Sequence, residues 1–137
     1  MAARAAVIKL QAEDEQMQLL GITADRIFGS NSTDTPVRNG LFSVHKWAEN
    51  TKRGGLTTYT VSIWFHMPKD REKDYGKIDL AILRMKELMK EAEHVVGADG
   101  WVLVAASWIS DSPDYPDDGY NTLTRYTQFR CACRNIE

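Results

Sequence analysis

The sequence is poor in cysteine and proline and has no long apolar run. Of its 137 residues, two are cysteine and four are proline. Cys131 and Cys133 lie two positions apart, which puts both side chains on one face of a strand at a separation awkward for a disulfide. We therefore expect free thiols and a reducing compartment. No apolar run approaches the roughly 20 residues that span a bilayer, and acidic residues follow the first apolar patch at once, so we expect no membrane span and no secretion signal.

Catalytic and nucleotide-binding motifs are also absent from the sequence. There is no Gly-x-Gly-x-x-Gly, no Walker loop and no Gly-x-Ser-x-Gly elbow. The 17 basic and 19 acidic residues give a net charge of −2, which does not favour wrapping of nucleic acid. We expect a single domain over residues 1–137 that is not an enzyme and needs no cofactor.

The apolar periodicity predicts two helices and four strands. Residues 74–94 form an amphipathic helix whose apolar stripe is Ile78, Ile82, Met85, Met89 and Ala92. A first helix is predicted over residues 5–20, and strands over 41–49, 56–67, 101–110 and 122–134. The order α-β-β-α-β-β predicts an α+β fold, an antiparallel sheet of about four strands with the amphipathic helix packed on it. The strand at 101–110 is apolar on both faces, which predicts a central position in the sheet or a position under a partner.

The segment SDSPDYPDDGYN at 110–121 is acidic and rich in turn residues. It fails as a calcium loop, because counting from Asp114 puts Pro116 in the third place and Arg125 in the twelfth. His45 and His66 fall in strands without a third ligand at a recognisable spacing, so polar strand histidines are favoured over a metal site. We expect no metal, and a surface role for the acidic segment.

Exposed aromatic and charged side chains indicate interaction surfaces. In LTTYTVSIWFHM, Trp64 alternates with the apolar residues and shares a face with threonines, which predicts burial by a helix or by another subunit. A basic hairpin tip (50–55) and the acidic segment would suit head-to-tail association in a ring. The candidate interface residues are Lys52, Arg53, Trp64, Trp108, Asp111, Asp114, Asp117 and Asp118.

The layout of the chain resembles the tail terminator (tail completion) proteins of long-tailed bacteriophages with non-contractile tails. The resemblance covers RIFGSNSTDTP, the hairpin LFSVHKWAENTKRGGLTTYTVSIWFHM, the helix KDYGKIDLAILRMKELMK and the hairpin GWVLVAASWISDSPDYPDDGYNTLTRYTQFRCACR. It implies a structural virion protein at the head-proximal end of the tail, assembled in the host cytoplasm. Its subunits would form a hexameric ring that caps the tail tube, stops its polymerisation and meets the head-neck stopper protein, with DNA passing through the lumen.

Other functions remain open at this point. Another head–tail connector or minor tail protein has the same sequence character. A small α+β ligand-binding protein or enzyme would use a pocket between helix and sheet, with His45, His66 and an aspartate. A nucleic-acid-binding module would use Lys52, Arg53 and exposed aromatics, and would show salt-dependent affinity.

Overall fold

A computed structural model describes residues 2–29, 40–69, 75–117 and 122–135. Its helices are α1 (Arg4–Ala12), α2 (Glu15–Leu19) and α3 (Gly76–Glu91), with a short 3-10 helix at Ala24–Arg26. Its strands are β1 (Ile27–Gly29), β2 (Phe42–Arg53), β3 (Leu56–Pro68), β4 (Val95–Val96), β5 (Trp101–Asp111), β6 (Tyr115–Asp117) and β7 (Thr122–Asn135).

The described strands form one mixed sheet in the order β1-β2-β3-β7-β5-β4, and β6 also pairs with β7. β1 runs parallel to β2, whereas every other pairing is antiparallel. The predicted fold class was therefore wrong: this is a mostly β, curled, mixed sheet of seven strands, not a four-stranded antiparallel sheet under one helix. The three extra strands are two or three residues long, too short to show a periodicity in the sequence.

One face of the sheet carries the helices and the core. Successive strand residues point to opposite faces, and in β3 the buried set is Val61, Ile63 and Phe65. The α3 stripe packs against this face, and its predicted members Ile78, Ile82, Met85, Met89 and Ala92 are all buried. Because α1 contacts both β1 and β4, at opposite ends of the strand order, the sheet curls around that helix.

The N-terminal helical segment is broken, although the sequence predicted one helix over 5–20. The break between α1 and α2 lies at Asp14. Its Oδ2 accepts a hydrogen bond from the Met17 backbone N–H at 3.0 Å and so caps the N-terminus of α2. Its carboxylate also receives hydrogen bonds from Arg84 Nε at 3.0 Å and Nη2 at 2.7 Å. The Asp14 side chain is only 8% exposed.

The strand at 101–110 does not lie centrally. β5 lies between β7 and the two-residue β4, which covers only Val102 and Leu103. From Ala105 to Ile109 its outer edge has no partner strand among the described residues. Gly97 makes the β4–β5 connection possible, because a Cβ there would lie 2.9 Å from the Ala6 backbone nitrogen in α1.

Candidate assembly surfaces

Trp64 lies on the second face of the sheet, the face opposite the described helices. Its ring centroid is 4.7 Å from that of Tyr126 and 6.3 Å from that of Tyr115, and Lys46 Nζ lies 5.4 Å from its centre. The neighbours on this face are polar strand residues: Ser62 Oγ accepts a hydrogen bond from Gln128 Nε2 at 2.9 Å. Helices on both faces would have covered Trp64, but α1 and α3 pack on the same face, so within the described residues this aromatic cluster stays half-buried without a helix.

Trp108 and Asp111 meet on the helix-covered face, at its rim. Trp108 Nε1 donates to Asp111 Oδ1 at 2.9 Å, and Lys86 Nζ lies 2.6 Å from Asp111 Oδ2 and 4.6 Å from the Trp108 ring centre. Burial alone would raise the pKa of Asp111, but hydrogen bonds from Lys86 and Trp108 outweigh it and hold that pKa below its ordinary value. Trp108 nonetheless remains 53% exposed.

A cleft of about 430 Å³ opens beside this triad, between α3 and the outer part of β5. Its floor is apolar, with Ala106, Trp108 and Phe129, and its α3 wall carries Lys86 and Lys90. We name it the Trp108 cleft. The arrangement suits a ligand with an aromatic or aliphatic group and a negative charge.

The acidic segment is folded back on β7 as an additional short strand. β6 pairs Tyr115 with Thr124 and Asp117 with Thr122. Asp114 is 61% exposed and lies 3.7 Å from Arg125 Nε, whose guanidinium also contacts Asp79. Tyr115 is 44% exposed. The side chain of Asp117 and all of Asp118 lie outside the described residues.

The basic tip is a tight two-residue turn. Arg53 pairs with Leu56, so Gly54 and Gly55 form the loop, and Gly54 takes a φ of +58° that favours glycine. Lys52 is 71% exposed and lies 3.5 Å from Glu49; the Arg53 side chain is outside the description. Thr57 near this tip pairs with Cys133, whereas Asp117 pairs with Thr122. The two tips therefore lie at opposite ends of β7, about 36 Å apart at 3.3 Å per residue.

An apolar patch on α2 and α3 was missed from the sequence. Leu19 is 81% exposed, Leu80 56% and Leu83 58%, and a groove between the two helices is lined by these side chains with Arg84 and Glu87. The available signal was that Leu80 and Leu83 fall outside the apolar stripe of α3, on its charged side. Exposed apolar groups in a cluster mark an interaction surface.

The two strand histidines cannot share a metal, because they lie on opposite faces of the sheet. They were expected on a polar face, but His45 is 1% and His66 4% exposed. Nε2 of His45 donates to Oε1 of Gln11 in α1 at 2.6 Å. Burial, with a smaller contribution from the charge of Arg4, lowers the pKa of His45 to about 3.

His66 and the two cysteines are likewise packed into the fold. His66 Nδ1 is 3.0 Å from Thr122 Oγ1, and its ring stacks on Phe42 with centroids 4.7 Å apart. Cys131 and Cys133 are free and buried, and burial raises the pKa of both thiols. In the described ranges no group of three or more His, Cys, Asp or Glu side chains is placed to hold a metal ion.

Known structures include one with the same fold along nearly the whole chain. The chain is similar to a chain in the virion of a native gene transfer agent (GTA) particle, with a TM-score of 0.72 and 13% sequence identity, covering 98% of this chain and 96% of that one. No protein-family model and no curated protein sequence matches. Of the helices that the structure describes, none is long and apolar enough to cross a membrane. The chain therefore shares its fold with a virion protein from end to end.

Proposed function

We propose that the chain is a structural virion protein, a subunit of a ring at the head-proximal end of a phage-type tail. The observation that carries this proposal is the end-to-end fold match with a chain of a gene transfer agent virion.

The exposed surfaces support an assembly role. The chain presents the Trp108 cleft, the α2–α3 leucine patch and two charged tips about 36 Å apart. A closed ring buries two different patches of each subunit against its two neighbours, and the remaining ends are free to meet the parts above and below. In this proposal six subunits close the ring, one end caps the tail tube and stops its growth, and the other end meets the neck protein.

The charge of the chain fits passage of DNA through such a ring. A net charge of −2 gives no strong attraction for the phosphate backbone. DNA would be guided through the lumen without being held. The partners are further copies of the chain, the tail tube protein and the head-neck stopper protein, and the role is non-enzymatic.

Tail tubes that are still growing provide the test. Purified chain is added to polymerising tail tube protein, and tube length and bound chain are measured by electron microscopy. We expect shorter tubes with the chain at one end only. The Asp117→Lys/Asp118→Lys variant should fold normally and cap less well, and Glu13→Lys/Glu15→Lys, which reverses two exposed acids near α2, serves as its matched control.

Unchanged tube length with no bound chain would contradict the proposal. Another position in the particle, as a connector or minor tail protein, is the alternative, because a fold shared with a virion protein does not fix a position in the particle. Binding to the neck with no effect on tube growth would favour that alternative.

A further inference from the structure

We propose that the Trp108 cleft is the docking site for the acidic segment Asp114–Asp117 of a second copy of this chain. The inference rests on the proposed ring, and it names the contact that would repeat around it.

The cleft is built to receive an aromatic group flanked by acids. Its floor consists of Ala106, Trp108 and Phe129, and two lysines of α3 stand along one wall. Lys86 already holds one carboxylate, that of Asp111, while it lies over the Trp108 ring. Lys90 is exposed one helical turn further on. A carboxylate entering beside Trp108 would therefore meet a positive wall.

The acidic segment has the complementary chemistry. Tyr115 is 44% exposed and stands between Asp114, 61% exposed, and the Pro116–Asp117 pair. An exposed tyrosine supplies a large apolar area at a small cost in side-chain entropy, and the neighbouring acids supply charge. The ion pair of Asp114 with Arg125 is long, at 3.7 Å, and solvent-exposed, so it offers little resistance to exchange of partners.

The two surfaces cannot meet within one molecule. Trp108 pairs with Phe129 of β7, whereas Tyr115 pairs with Thr124, five residues or about 17 Å along the same strand. Trp108 is on the helix-covered face, and Tyr115, which contacts Trp64, is on the second face. Docking must therefore join two copies head to tail, and a contact of this kind repeats from copy to copy until it closes.

Two other features of the molecule favour this pairing. The outer edge of β5 beside the cleft, Ala105–Ile109, contains no charged residue and no proline, the usual protection of an exposed edge strand. A symmetric contact of two such edges would place Lys86 and Lys90 against their own copies, which like charge disfavours. An acidic partner segment removes that repulsion.

Cysteine cross-linking tests the contact directly. Ala106→Cys places a thiol on the floor of the cleft and Pro116→Cys places one in the acidic segment, and both native cysteines are buried. With a short bismaleimide, we expect little covalent dimer from either variant alone, a covalent dimer when the two are mixed, and a ladder of multimers when one chain carries both.

Charge reversal provides an independent measurement. Lys90→Glu should weaken self-association at least tenfold, and Lys90→Glu/Asp114→Lys should recover most of the loss. Lys9→Glu, at an exposed lysine of α1 outside all of these surfaces, is the control and should leave self-association unchanged. Circular dichroism checks that each variant folds.

Three outcomes would overturn the inference. Covalent dimers of Ala106→Cys alone would mean a symmetric contact. Multimers by light scattering without cross-linking in the mixture would mean a ring built through other surfaces, which leaves the proposed function standing. A mixture that stays monomeric and forms no cross-link at a millimolar concentration of the protein would also show that this contact does not form. The tube-capping experiment then decides separately on the proposed function.

Discussion

The two faces of the sheet are built from the same strands but have different tasks. On the helix-covered face, Val61 and Ile63 are fully buried and Phe129 is 1% exposed. On the second face, the intervening residues Trp64, Tyr126 and Gln128 are only partly buried. Along the middle of β3 and β7, alternation thus assigns every other residue to folding and leaves Trp64, Tyr126 and Gln128 available for contacts with other molecules. Nearer the end of β3, His66 is buried on the second face against Phe42. Substitutions on the first face should change stability, and those on the second should mainly change assembly.

The largest effect is expected from a charge placed in the helix-covered core. Ile82 is 3% exposed, so Ile82→Asp buries a carboxylate without a partner and should unfold the subunit, with a loss above about 4 kcal/mol. Leu83→Asp, at the next position of α3 and 58% exposed, is the matched control and should cost less than about 1 kcal/mol. Denaturant unfolding followed by circular dichroism measures both. A soluble, cooperatively melting Ile82→Asp protein would mean that the core face is misplaced.

Acid should weaken the same face through His45. The pKa of His45 is lowered to about 3 in the folded chain, against 6.5 when unfolded. Below pH 6.5 the unfolded chain binds a proton that the folded chain refuses, so stability is complete above 6.5 and falls toward pH 3, by at most about 1.4 kcal/mol per pH unit.

Two variants separate His45 from other acid-sensitive groups. His45→Gln should flatten the dependence of unfolding free energy on pH between 6.5 and 4, because glutamine does not titrate there. His94→Gln, at an exposed histidine, should keep the wild-type slope. Equal slopes in all three proteins would show that His45 is not the group responsible.

A smaller loss of stability is expected where α2 meets α3. Arg84→Met removes the bidentate partner of Asp14 and leaves that carboxylate with its cap contact alone, at a cost of about 2 kcal/mol. The hydrogen bonds from Arg84 hold the pKa of Asp14 below its usual value, so the effect should fade as pH falls and Asp14 is protonated. Thermal melts at neutral and acid pH give the measurement. Glu87→Gln, which removes only the outer contact of Arg84 at 3.7 Å, should have almost no effect.

The smallest change in stability is expected on the second face. Trp64→Ala removes contacts with Tyr126 and Tyr115 but vacates a half-exposed site, so the cost should be about 1 to 2 kcal/mol, below the value for a buried tryptophan. Chemical denaturation measures this loss. A loss as large as that of Ile82→Asp would mean that the second face belongs to the core and would abolish the division between the faces.

Sequence periodicity predicted the parts of the fold that depend on local pattern. The α3 stripe and the alternation of β3 are visible because each runs over enough turns or residues to show its period. β4 and β6 are two or three residues long, too short to show a period in the sequence, so the sequence carried no signal for them. The same applies to β5, whose place near the sheet edge is fixed by β7 and β4.

The sequence could predict which types of residue form the candidate surfaces, but not how these residues are arranged in space. Trp108, Asp111 and Lys86 form one cluster although Lys86 is more than twenty residues from the other two. His45 was misjudged because its partner, Gln11, lies 34 positions away in α1 and makes a buried polar site tolerable. Contacts between residues so far apart in the sequence follow from the curl of the sheet, which no short pattern in the sequence encodes.

The most direct test of the central claim is the light-scattering mass of the chain behind size exclusion, measured alone and with tail tubes. The account predicts a ring mass of about six times the 15.5 kDa chain, either free or bound at tube ends. A 15.5 kDa species that stays monomeric and ignores the tubes would contradict it.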